Sequence, residues 1–249
     1  MSLLTIIGAG RVGHVFARCA EAARQPARFV GRGEPIEAAG LLLVCTRADD
    51  LPAVIAATPL ERRHDLVFVQ NGLLRPFLVA NHLADNTQGI LYFAATARDG
   101  RAEPGAPSLF YGPHAGALVT LLTAGGLPAR ALADGAELGR EVAVKLAWNV
   151  IFGLLGQRFD EPVGASAART PLLEALVQEL TPPLVVAVGS TLDPQILLDR
   201  IRAYSMEIPA FRASVKEFSW RNGAVRAAAR DAGLATPVHD ALLAEVGVT

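Results

Sequence analysis

The tightest constraint on the fold lies in the first thirteen residues. An apolar run, Leu3-Leu4-Thr5-Ile6-Ile7, passes directly into Gly8-Ala9-Gly10-Arg11-Val12-Gly13. A helical pattern follows from about Arg11 to Arg24, with Val12, Val15, Phe16 and Cys19 on one face. Pro26 stops it, and Ala27-Arg28-Phe29-Val30 reads as a second strand closed by Gly31-Arg32-Gly33. Strand, glycine turn, helix and strand in that order open a parallel βαβ unit. Here the glycines permit a tight turn, and backbone N–H groups from Gly8 through Ala9, Gly10, Arg11, Val12 and Gly13 can approach a pyrophosphate at the helix N-terminus. The plainer alternative is a glycine turn without a ligand.

The alternation continues. Leu41-Leu42-Leu43-Val44-Cys45 reads as a third strand, with a helix starting near Asp49-Asp50. Leu66-Val67-Phe68-Val69 reads as a fourth, closed by Gln70-Asn71-Gly72. Further strands are expected at 89–95 and 108–111, a helix at 115–124, and an edge strand at 128–132. Continuously apolar strands between helices indicate a mostly parallel sheet covered on both faces. The pattern changes near Asp134. From there helical periodicity dominates, with expected helices at 135–157, 171–190, 194–203, 210–232 and 237–246. Pro162, Pro171, Pro194, Pro209 and Pro237 lie near their ends, whereas Pro182-Pro183 is expected to kink or split the second. The expected fold is therefore α/β. A Rossmann-type domain with a parallel sheet spans 1–133, and an all-α substrate and catalytic domain spans 134–249. No Ser/Gly-rich linker joins them, so the two are expected to pack around a shared cleft.

Composition narrows the function classes. The 249 residues carry a net charge of −1 and 6% aromatics, which gives no electrostatic or stacking basis for a nucleic-acid or acidic-membrane partner. Cys19 and Cys45 have no metal spacing and read as small core residues in a reducing compartment. Met1-Ser2 leads into the first strand without a basic leader. The longest apolar run, around Lys145, is shorter than the roughly 18–20 residues a bilayer span needs. A cytoplasmic protein without a metal or membrane partner is expected.

The turn after the second strand bears on cofactor choice. A fold preferring NAD usually places Asp or Glu there to bind the ribose 2′-hydroxyl. Here the residue is Arg32, which with Arg11 can pair with a 2′-phosphate and so favours NADP(H). A shift of two residues gives Glu34 the ribose role and favours NAD. Asn71 follows the fourth strand at the carboxyl edge of the sheet, where ligands bind in open α/β folds. An ordinary Asn-Gly turn is the other reading of that position.

In the second half, Lys145 is the only charge between Val142 and Leu155, and Asn149 lies one helical turn further on the same face. An ammonium among apolar neighbours costs free energy unless something polar faces it, and burial lowers its pKa toward a value suited to proton transfer. The competing reading is a lysine snorkelling to the surface.

Lys145-x-x-x-Asn149, then Ser205-Met206, then Glu217 with Asn222-Gly223-Ala224-Val225 and Ala235-Thr236-Pro237 follow the glycine turn and Gln70-Asn71-Gly72 in one order. In that order and spacing, over nearly the whole chain, the sequence resembles ketopantoate reductase (2-dehydropantoate 2-reductase). The resemblance implies NADPH-dependent reduction of a 2-keto acid and a place in pantothenate biosynthesis. It implies that Lys145 is the general acid and Glu217 a carboxylate near it. Asn149 would hydrogen-bond the substrate, Ser205 would contact its carboxylate, and Asn71 would touch cofactor and substrate. Arg32 would read the 2′-phosphate.

The chain departs from the pattern at three places. Gly153 stands where a second asparagine is usual, Pro209 interrupts the segment after Ser205-Met206, and Arg47 replaces a lysine that helps hold the cofactor or substrate. Only Gly31 to Gly40 joins the second and third strands, so a helix and strand usual in that link are expected to be lost or trimmed. Two other functions stay open: a β-hydroxyacid dehydrogenase-like oxidoreductase, and a catalytically degenerate NADP(H)-binding sensor or partner-binding protein. Helical second domains often carry dimer contacts, so a homodimer fits either kind of function.

Overall fold

Two four-residue strands with every side chain buried, β1 (Leu4–Ile7) and β3 (Leu41–Val44), lie side by side in the middle of a sheet. Strands buried on both faces are what a parallel sheet with helical covers requires. The computed structural model describes residues 3–36 and 40–248. The remaining strands are β2 (Ala27–Val30), β4 (Leu66–Phe68), β5 (Gln88–Ile90), β6 (Ser108–Tyr111) and β7 (Ala129–Ala131). Their order is β2-β1-β3-β4-β5-β6-β7, with every neighbouring pair parallel except β5–β6. The chain leaves β1 for β2 on one side and β3 on the other. The carboxyl end of β1 is thus the topological switch point, where open α/β sheets bind ligands.

The helices are α1 (Arg11–Ala22), α2 (Leu51–Ala57), α3 (Arg75–Ala80), α4 (Ala115–Ala124), α5 (Gly135–Phe159), α6 (Val163–Ala167), α7 (Thr170–Val188), α8 (Pro194–Glu207), α9 (Asn222–Asp231) and α10 (Pro237–Glu245). The chain folds into two compact units. The sheet unit runs to Gln70 and resumes over Phe77–Leu138, while the helical unit holds Asn71–Pro76 and everything from Gly139 onward. Each has its own apolar core. In the sheet unit Leu4, Ile6, Phe16, Leu43, Val67, Phe110 and Leu118 meet. In the helical unit Leu146, Ile151, Phe152, Leu155, Leu176, Leu180 and Ile201 do so. Each fully buried side chain of this size contributes about 1.5–3 kcal/mol. Burial pushes the Cys19 thiol up to about 11 and the Cys45 thiol above its usual range, so neither is an activated nucleophile.

Three expectations are corrected. The strand expected over 89–95 ends at Ile90, where the Tyr92 N–H donates to the Ser108 side chain, and only an isolated bridge joins Ala94 to Glu103. The helix expected over 210–232 begins only at Asn222. Before it lie an irregular segment and a single 3-10 turn over Phe218–Trp220. Pro182 and Pro183 do not split α7, which runs through both and ends at Gly189 in the left-handed conformation. The short α6 had no periodic signal. Among the described residues α7 is the one helix long and apolar enough to cross a membrane, and half of that stretch is buried within the protein.

Candidate active site

In the sheet unit the glycine turn closes β1 against the chain leaving β3. Gly8 has φ +105°, and a Cβ there would lie 3.0 Å from Thr46 Cγ2 and 3.1 Å from the Cys45 carbonyl carbon. A Cβ at Gly13 would lie 2.3 Å from the Gly8 carbonyl oxygen, so α1 approaches β1 this closely only with glycine there. Gly10 caps α1 in an extended conformation with no side-chain hydrogen bond, leaving the first N–H groups of the helix without a side-chain acceptor. The cradle fits a pyrophosphate. Ala9 and Arg11 are exposed at its mouth, and Val12 is half-buried in the helix behind it.

Arg32 is exposed in the turn after β2, 3.6 Å from Asp50. Glu34 shares that turn and folds back to accept the Gly31 N–H at 2.7 Å. Arg47 is exposed, and its carbonyl accepts the Asp50 N–H at 3.1 Å. Gln70, not singled out from sequence, joins the carboxyl edge by donating to the carbonyls of Val44 (2.8 Å) and Thr46 (3.2 Å). Among the described residues no three His, Cys, Asp or Glu side chains group as metal ligands.

In the helical unit α5 presents Lys145 to α8. The half-buried ammonium donates to the Tyr204 hydroxyl at 3.2 Å and stands 4.5 Å from the centre of the Tyr204 ring and 5.3 Å from that of Trp148. Four residues earlier on both helices, Arg200 grips Glu141 through two bonds of 3.1 and 2.7 Å. The same separation of 59 residues in both contacts shows α8 lying alongside α5 in the same direction. Burial, and then the nearby charge of Arg221, pushes Lys145 down to about 7. Burial raises Tyr204 to about 12, so its hydroxyl stays neutral as an acceptor. Asn149 follows one turn later with its amide donating to the Lys145 carbonyl at 2.9 Å.

Ser205 is not presented to a substrate in this conformation. It is fully buried, accepting the Trp148 indole N–H at 2.9 Å and donating to the Ile201 carbonyl at 2.8 Å. Its hydroxyl braces Trp148, whose ring meets Tyr204 edge-on at 5.0 Å. The hydroxyl that meets Lys145 belongs instead to Tyr204, a residue that no spacing in the sequence singles out.

Glu217 stands at the start of the 3-10 turn in the left-handed conformation (φ 47°, ψ 50°), unusual for a residue with a side chain. Its carboxylate accepts from Arg221 at 2.6 Å. The same turn receives Asn71-Gly72-Leu73. The Leu73 N–H donates to the Trp220 carbonyl at 2.7 Å, and a Cβ at Gly72 would lie 2.6 Å from that oxygen. This docking places the exposed Asn71 beside the turn that carries Glu217. Arg221 is 9% exposed, and its Nε is buried without a hydrogen bond. The sequence pattern offered no sign of its burial.

The space that a side chain at Gly153 would fill belongs to the chain itself. A Cβ there would lie 3.0 Å from the Ser214 carbonyl oxygen, and one at Gly156 would lie 2.6 Å from that of Ala213. A Cβ on Gly164 would lie 2.9 Å from Pro209 Cβ. The irregular segment that replaces the first part of the expected 210–232 helix thus lies against glycines of α5 and α6.

No family model and no curated protein matches the chain. Solved structures do. A ketopantoate reductase of the PanE/ApbA family from Ralstonia eutropha matches with a TM-score of 0.75 at 17% identity, over 98% of this chain and 97% of that one. The fold is that of the ketopantoate reductases. A probable 2-dehydropantoate 2-reductase from Bacillus subtilis gives 0.75 at 16% identity, over 98% and 99% of the two chains. A D-mandelate dehydrogenase in complex with NADH gives 0.75 at 14%, over 98% and 97%. At these identities the ketopantoate-reductase likeness is one of architecture.

Proposed function

We propose that the protein is an NAD(P)H-dependent reductase of 2-keto acids in which Lys145 is the general acid. The observation that carries this reading is the Lys145 ammonium, held by the Tyr204 hydroxyl and pushed to about 7 on the first long helix after a Rossmann sheet. An acid with a pKa near working pH is matched to its task. The nicotinamide cofactor, when bound, supplies the hydride. As the ketone carbon gains it, the oxygen becomes an alkoxide. The Lys145 N–H breaks, an O–H bond forms, and neutral lysine remains. Before transfer the ammonium stabilises the developing charge. Asn149 and Asn71 orient the substrate, and Glu217 acts through Arg221.

Gly8, Ala9, Gly10, Arg11, Val12 and Gly13 would hold the pyrophosphate, with Arg47 near the β3 end. Arg32, exposed at the β2 end, supports NADP(H) over NAD(H), while the Glu34 carboxylate on the same turn is engaged by the Gly31 N–H. The reading treats 1–133 as the cofactor domain and 134–249 as the catalytic domain of a cytoplasmic enzyme. A neighbour described as a dimeric ketopantoate reductase from Staphylococcus aureus supports a homodimer.

The test is NADPH and NADH oxidation against ketopantoate and a panel of alkyl and aryl 2-keto acids. Turnover with NADPH preferred, and the preference reversed in Arg32→Glu, is expected. Tight NADPH binding with no turnover on the panel contradicts the reading and leaves a nucleotide-binding protein without this chemistry.

A further inference from the structure

Resting on the reductase reading, we infer that Arg221 binds the substrate's carboxylate, and that this anion switches Lys145 into its acid form. In a 2-keto acid the carboxylate carbon is bonded to the ketone carbon. The group that anchors it must therefore lie within a few ångströms of the group that protonates the ketone. Ser205, to which the family resemblance gives that contact, is sealed in the core with its hydroxyl engaged by Trp148 and Ile201.

Arg221 has the required chemistry. Its guanidinium fork suits a carboxylate, which it can bind through two parallel N–H bonds. Glu217 occupies one nitrogen at 2.6 Å, while Nε is buried with no acceptor. A buried guanidinium N–H left unsatisfied is costly, which points to a missing partner. Glu217 is held in its left-handed conformation with its carbonyl accepting the Trp220 N–H at 2.9 Å, so the turn keeps the fork in one place.

Charge agrees with this. Protonated Lys145 and Arg221 set against Glu217 leave one net positive charge among the three, enough for a monoanion. Glu141 is gripped by Arg200, Glu207 acts on Tyr204, and Tyr204 itself is neutral. The residue after Arg221, Asn222, donates its side-chain amide to the Val150 carbonyl of α5 at 3.3 Å, and the Arg221 charge disfavours the Lys145 ammonium. A carboxylate bound on Arg221 offsets that charge, so the general acid gains its proton as the substrate arrives.

The chain has only two lysines, Lys145 and Lys216, so ¹³C-lysine NMR titrates Lys145 without ambiguity. The probe is oxamate, a 2-keto acid mimic that resists hydride. In the wild-type protein, saturating oxamate is expected to raise the Lys145 titration by on the order of one pH unit. In Arg221→Met, Lys145 rises before any oxamate is added, the response to oxamate is lost, and oxamate affinity falls ~30-fold or more. Arg221→Lys keeps a buried cation if the methionine variant does not fold. There Lys145 stays low while oxamate affinity still drops, because an ammonium lacks the fork. Equal affinity in all three proteins, no binding to the wild type, or binding that leaves Lys145 where it was overturns the inference. Loss of oxamate binding in the variants of a protein that reduces no 2-keto acid keeps the anchor and removes the reductase reading. Turnover with an unchanged KM in Arg221→Met does the reverse.

Discussion

Glycine does opposite work in the two units. In the sheet unit the missing side chains at Gly8 and Gly13 bring β1, α1 and the end of β3 together, and the unadorned Gly10 leaves the helix N-terminus open to an anion. In the helical unit the missing side chains at Gly153 and Gly156 leave nothing open, because the backbone of Ala213 and Ser214 occupies the space. On the proposed reading, the glycines of the sheet unit meet a backbone requirement that any dinucleotide imposes. In the helical unit the chain itself covers Gly153, and Ser205 braces Trp148. Tyr204 meets the lysine instead, and the charge of Arg221 acts on it.

The largest expected effect tests whether the helical unit carries the chemistry. Lys145→Met should lower kcat by about 10²- to 10⁴-fold while NADPH affinity, measured by fluorescence titration, stays within about twofold. It should also change how stability depends on pH. In the wild type the folded-state pKa lies below the unfolded value, so between about 7 and about 10.5 the unfolded chain binds more protons. Stability should therefore rise with pH across that window in urea titrations, and Lys145→Met should remove the rise. Equal slopes in the two proteins would contradict a depressed Lys145.

The reciprocal prediction concerns the cofactor end. Gly8→Ala places a Cβ at φ +105° against Thr46 and Cys45, a strain on the order of 1–3 kcal/mol. Dinucleotide affinity should fall about tenfold or more, with a lower Tm, while the Lys145 titration stays unchanged. Gly153→Asn separates the two uses of glycine. If the site had kept its amide pocket, the asparagine would be tolerated and substrate affinity would improve. The overlap with the Ser214 carbonyl predicts instead a loss of about 1–3 kcal/mol of stability in urea unfolding and no gain in KM.

The smallest effect is expected at Tyr204→Phe, which keeps the ring and loses the acceptor. One hydrogen bond to the ammonium is worth about 1 kcal/mol, so the high-pH limb of kcat should move down by about 0.7 of a pH unit. A merely structural tyrosine would lower kcat uniformly without moving the limb.

These differences follow what a linear sequence can express. The glycine turn was legible because its constraints fall within one short segment, and the largely apolar runs of β1 and β3 announced a sheet buried on both faces. Lys145 and Asn149 were legible because one helical turn relates them. Tyr204 was not, since it meets Lys145 across 59 residues by the packing of α8 on α5. Ser205 is given a contact with the substrate carboxylate by the family resemblance, in order and spacing. Its burial depends on Trp148 reaching it, which no spacing reveals. The segment before Asn222 read as helix because its apolar residues recur. It departs from helix where the glycines of α5 and α6 offer a groove for extended backbone.

The central claim is that Lys145 is an acid tuned for neutral pH by burial and a neighbouring cation. The direct measurement is the titration of the two lysines by ¹³C-lysine NMR in the unliganded protein, assigned with Lys145→Met. The account predicts that the resonance lost in Lys145→Met titrates near 7. A Lys145 resonance titrating at the ordinary lysine value of about 10.4 would contradict it.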